Sequence, residues 1–88
     1  MSDRYQRDAR LPFQEIQGQA VVVVPARREL HELDETATFL WRELAKARTT
    51  ADLAAALCAE FEVEADVAEA DVRAFVRSLE EKGLVHRA

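Results

Sequence analysis

The side chains able to do bond chemistry are few in this 88-residue chain, and they are poorly spaced for it. Its two histidines, His31 and His86, lie far apart, and no His-x-x-x-His or similar metal spacing exists. Cys58 is the single thiol. It can form no internal disulfide and cannot supply a cysteine-rich zinc site. With Ala54, Leu57 and Phe61 around it at helical spacing, it reads as a small buried hydrophobe. The serines are Ser2, in a polar N-terminal stretch, and Ser78, on a helix surface. No glycine-rich phosphate loop occurs. Carboxylates are plentiful, but pairs such as Glu80 and Glu81 fall on a solvated helix face. No nucleophile, metal cage or tuned acid–base pair emerges, so the expectation is a protein without catalysis, metal or cofactor.

Recognition is the chemistry left, and the run RRELHEL, ending at Leu33, is where it would happen. The run is short, charged and compatible with a β-strand, which is how proteins guard an edge strand against aggregation. The same edge can accept an extended peptide as an added strand. A protected edge that binds nothing explains those residues equally well.

Other elements must position that edge. Residues 1–10 alternate charge and polarity without an apolar period and are expected to form a flexible arm ahead of a single domain over 11–88. Pro12 to Ile16 reads as a short first strand, Gln17-Gly18 as a turn, and Gln19 to Val24 as the clearest strand of the chain. Val21 to Val24 is continuously apolar rather than alternating. Pro25 ends that strand, and Glu29 to Leu33 returns as a third.

Three helices follow. Asp34 is a suitable N-cap for the first, with Ala37, Leu40, Trp41 and Leu44 on one face. Thr49 and Asp52 have the spacing of a capping box for the second, whose inner face carries Leu53, Leu57 and Phe61. The third runs from about Asp66 to Lys82 with Ala68, Val72, Phe75, Val76 and Leu79 as its stripe, and Gly83 closes it. Leu84-Val85 is an apolar contact after that cap or a short closing strand. The expected fold is α+β and winged helix-turn-helix-like: a three-stranded N-terminal antiparallel sheet followed by a three-helix bundle.

A winged-helix layout invites DNA binding, but the charges oppose it. The net charge is −5, and the excess lies wholly in residues 49–88, with nine acidic and four basic side chains. The third helix is preceded and opened by Glu62, Glu64, Asp66, Glu69 and Asp71, which would repel a phosphate backbone. No run is long enough to span a membrane, and the polar N-terminus lacks the apolar core of a signal peptide; a cytoplasmic protein is expected.

The segments LHELDETATFLWREL, ARTTADLAAALCAEF and AEADVRAFVRSLEEKGLV, with VVVVPAR before them, resemble the PqqD-like family, the precursor-peptide recognition elements of ribosomally made, modified peptides (RiPPs). The resemblance runs from about Phe13 to Val85. The family often has Asp-Gly before the Arg-Thr that opens its second helix. Here Ala45-Lys46-Ala47 stands there, which implies a longer first helix. Asp34 replaces a common Asn cap, and neither departure is expected to touch the groove.

The resemblance implies a domain that binds the leader of a precursor peptide by strand addition and presents it to a modifying enzyme, such as a radical S-adenosylmethionine (SAM) protein or a leader peptidase. The implied contacts are Arg28, Glu29, Leu30, His31, Glu32 and Leu33 on the edge, with Val72, Arg73, Phe75, Val76 and Leu79 on the third helix. Neither nucleic acid nor membrane is implied as a partner, and a homodimer is left open. The alternative is an acidic winged-helix regulatory or protein–protein interaction domain.

Overall fold

The computed structural model describes residues 3–88; Met1 and Ser2 lie outside the described residues. The elements run β1 (Arg4–Arg7), β2 (Phe13–Ile16), β3 (Gln19–Val24), a 3₁₀ turn (Pro25–Arg27), β4 (Glu29–Glu32), α1 (Glu35–Glu43), β5 (Arg48–Thr49), α2 (Thr50–Glu60), α3 (Ala65–Glu81) and β6 (Val85–Arg87). The expected strands are β2, β3 and β4, an antiparallel sheet in that order with β4 at one edge. The three expected helices follow, so the fold is α+β as read from the sequence.

Local signals explain most boundaries. Gln17 and Gly18 both take positive φ, 55° and 80°, giving the two-residue hairpin turn whose twist suits flanking strands. The Asp34 side chain accepts from the Ala37 N–H and starts α1. Thr49 and Asp52 form the reciprocal capping box. Gly83, at φ 75°, ends α3 in a Schellman turn, with Leu84 N–H donating to the Leu79 carbonyl and Gly83 N–H to that of Glu80.

Three expectations need correction. Arg4–Arg7, read as part of an arm, is a strand between β5 and β6 in a second three-stranded sheet. That stretch packs through amphipathic side chains, which leave no apolar period. The Arg7 guanidinium lies over the rings of Phe13 (4.7 Å) and Trp41 (5.6 Å) and donates to the Trp41 carbonyl, while Tyr5 lies beneath Arg87. Second, α1 does not run longer: it stops at Glu43, and the chain turns there so that Arg48 pairs with Tyr5. Third, Cys58 is partly exposed at the core margin.

The core joins β3, all three helices and the start of β6. Ala20, Val22 and Val24 point inward from β3 to meet Leu40, Trp41 and Leu44 of the α1 region, Leu53 and Leu57 of α2, and Val72, Val76 and Leu79 of α3. The four-valine run thus alternates after all, with Val21 and Val23 half-buried on the outer face. Thr38 is the buried polar residue of this core. Its hydroxyl accepts from the Ala20 N–H at 2.8 Å and donates to the Leu33 carbonyl at 3.3 Å, fixing the end of β4 against α1.

Candidate functional site

The geometry of β4 follows from its register. It pairs with β3 as Val24–Glu29, Val23–Leu30, Val22–His31 and Val21–Glu32. One residue on, Leu33 N–H donates to the Ala20 carbonyl at 2.8 Å. Bonded and non-bonded pairs alternate along an antiparallel ladder, so the backbone groups of Leu33, His31 and Glu29 face β3. Those of Leu30 and Glu32 point away. Among the described residues β4 has no further strand beside it. Two donor–acceptor pairs, about 7 Å apart, are therefore presented at an open edge.

Side chains follow the other alternation. His31 and Leu33 lie on the inner face: Leu33 is buried, and the His31 ring is 18% exposed with Nε2 3.3 Å from Glu29 Oε1. Leu30 and Glu32 lie on the outer face, where Leu30 is 67% exposed beside Val23.

The segments flanking β4 reach α3 on both sides. At its start, the Arg27 guanidinium donates to the Glu81 carbonyl, at the C-terminal end of α3. At its far end a cavity of about 400 Å³ opens between the β4–α1 junction and α3. Leu40, Leu57 and Phe75 make its apolar floor with Ala37 and Ala74. Asp34, Thr36, Asp71 and Ser78 make its polar rim. The open edge thus ends at a groove with an apolar bottom.

The residues expected from sequence divide into three groups. Arg28 to Leu33 form the edge and its approach. Phe75 enters the groove, whereas Val72, Val76 and Leu79 are buried core and do not line it. Arg73 lies on another flank of α3, in a separate cavity of about 320 Å³ with Arg77, Glu80 and Arg87. The groove stripe of α3 is instead Asp71, Ala74, Phe75 and Ser78, which repeats the i, i+3, i+4, i+7 spacing of the core stripe on the next face of the helix. Small residues beside one half-buried aromatic were the available signal. Asp34, expected to stand clear of the groove, lines it, because it caps the helix that begins where β4 ends.

Among the described residues no group of three or more His, Cys, Asp or Glu could hold a metal ion. No helix among them is long and apolar enough to cross a membrane.

Residues 19–85 match the family described as coenzyme PQQ synthesis protein D (PqqD). No curated protein matches the chain. Three solved structures share its fold. A lasso peptide synthetase B1 complexed with the leader peptide is 28% identical, with a TM-score of 0.81, over 93% of this chain and 96% of that one. TbiB1 in complex with the TbiA(beta) leader peptide is 23% identical, with a TM-score of 0.83, over 92% of this chain and 94% of that one. The PqqD truncation of Methylobacterium extorquens PqqCD, a stand-alone RiPP recognition element, is 21% identical, with a TM-score of 0.72, over 96% of this chain and 89% of that one.

Proposed function

The chain belongs to the PqqD family, and from that premise we propose that it binds the leader segment of a ribosomally made precursor peptide and presents it to a separate modifying enzyme. The observation that carries this reading is the open edge of β4, where Leu30 and Glu32 turn both backbone groups outward beside an apolar-floored groove. An extended peptide meets that edge as a fourth strand. Its affinity comes from main-chain hydrogen bonds, and its selectivity from alternate side chains entering the groove. The two structural relatives solved with leader peptides support this use of the fold.

In the antiparallel arrangement, peptide residues opposite Leu33 and His31 face inward. The one opposite Leu33 lies nearest the cavity floored by Leu40 and Phe75. The edge residues Arg28 to Leu33, with Phe75, are the proposed contacts. Residues 11–88 form the recognition domain, and β1 completes it from the N-terminal side.

The protein performs no bond chemistry in this scheme. It raises the peptide's effective concentration at an enzyme that does, a radical SAM protein or a leader peptidase, in the cytoplasm. The test is reconstitution of the modifying enzyme with its precursor, with and without this protein. Modification should depend on the protein, and the protein alone should leave the precursor's mass unchanged. Equal rates in its absence would refute the proposal.

A further inference from the structure

The groove beside β4 is electrically lopsided. At the end where β4 meets α1, Asp34 and Asp71 line the cavity, Glu32 stands on the adjoining edge, and among the described residues no lysine or arginine lines the cavity. Asp34 has one carboxylate oxygen on the Ala37 N–H, and Asp71 makes no ion pair among the described residues. At the opposite end stand Arg27, Arg28 and Lys82, of which Arg27 reaches a backbone carbonyl rather than a carboxylate. Glu81 is also at that end, and Glu29 is engaged with His31.

A strand laid along β4 passes both ends. From Asp34 to Arg28 is about 20 Å of extended chain, beyond the Debye length of about 8 Å at physiological salt, so each end acts on a different peptide residue. The remaining pairs of this sheet are antiparallel, the slightly more stable arrangement per residue. An antiparallel peptide places its N-terminal part against Asp34 and Asp71 and its C-terminal part against Arg28.

We infer that this protein selects leaders carrying a lysine or arginine about six residues N-terminal to an acidic residue, with Asp71 and Arg28 as the selecting side chains and apolar residues between them facing the groove. The inference rests on the strand-addition reading above. The open edge and the cavity make the site, and the charges decide orientation and sequence. Like charges across a contact exclude wrong partners more strongly than matched charges raise affinity, so reversal of the pattern should be penalised at both ends.

The test uses two synthetic peptides of one composition, Lys-Leu-Thr-Val-Thr-Val-Asp and Asp-Leu-Thr-Val-Thr-Val-Lys, each with neutral Ser-Gly extensions. Their binding is followed by amide shifts of the full-length protein. The lysine-first peptide should bind about five- to tenfold more tightly, the scale expected of two exposed charge pairs turned from attraction to repulsion. Raising the salt to 1 M should shrink the gap. Asp71→Lys should close or invert it, and this exposed position is not required for folding. Equal affinities, or tighter binding of the aspartate-first peptide, would overturn the charge rule while leaving strand addition intact. Binding of neither peptide at millimolar concentration would overturn both.

Discussion

Proline scanning of β4 separates the backbone groups that face a ligand from those that hold the fold. Leu30→Pro removes an N–H that points away from β3, so the β3–β4 ladder keeps its bonds through Glu29, His31 and Leu33. Proline is tolerated at such edge positions, and the expected stability loss is about 1 kcal/mol, the span of strand preferences. The added strand suffers more. One peptide carbonyl loses its donor and is left facing the proline ring in a desolvated groove, at a cost of about 1–3 kcal/mol. That corresponds to roughly 5- to 150-fold weaker binding. Glu32→Pro should behave alike. His31→Pro has the opposite signature: it deletes the donor to Val22, orphans a carbonyl in the fully buried part of β3, and lowers the melting temperature. Circular dichroism melts paired with calorimetric titration of a cognate leader distinguish the two. Unchanged affinity in folded Leu30→Pro and Glu32→Pro would refute the edge assignment.

Other expectations follow from the same geometry. Phe75→Ala should weaken leader binding with a modest stability loss, because the ring is only partly buried, whereas Leu79→Ala should cost about 2–5 kcal/mol of stability; urea melts and titrations of both variants check this. Asp52, whose carboxyl is held below the usual range chiefly by the backbone N–H of Thr49, contributes stability above its unfolded value near pH 4 and loses it as pH falls through its lower folded value. Asp52→Asn should therefore be less stable than the parent at pH 7, and the difference should vanish in urea melts carried into that acidic range. Duplex DNA should not bind at physiological salt, given the acids along the first half of α3, and an anisotropy titration would expose any salt-sensitive affinity.

Strong local chemistry made much of this fold legible. Gln17-Gly18, Asp34, Thr49 with Asp52, and Gly83 each mark a boundary through their own backbone or side-chain bonds. The second sheet was hidden because β1 packs by arginine and tyrosine stacking rather than by an apolar period, and because β5 is two residues long. At the candidate site, the edge could be read as a charged strand following a proline-terminated one. Which of its backbone groups faced outward depended on register, fixed by a long-range pairing such as Leu33 with Ala20. On α3 the apolar stripe read from the sequence contains Phe75, which borders the groove, but not Asp71, Ala74 or Ser78. An apolar stripe identifies what a helix buries, and the adjoining stripe that borders a groove is small and mixed in character, as Ala74 and Ser78 are.

The central claim, that a leader adds to β4 through Leu30 and Glu32, is tested most directly by amide hydrogen exchange with and without a saturating cognate leader. In the free protein the Leu30 and Glu32 amides should exchange quickly, while those of His31 and Leu33, bonded to β3, are protected. On binding, Leu30 and Glu32 should become protected, and His31 and Leu33 should change little. If the saturated complex leaves the Leu30 and Glu32 amides exchanging as fast as before, the leader does not bind as a strand at this edge.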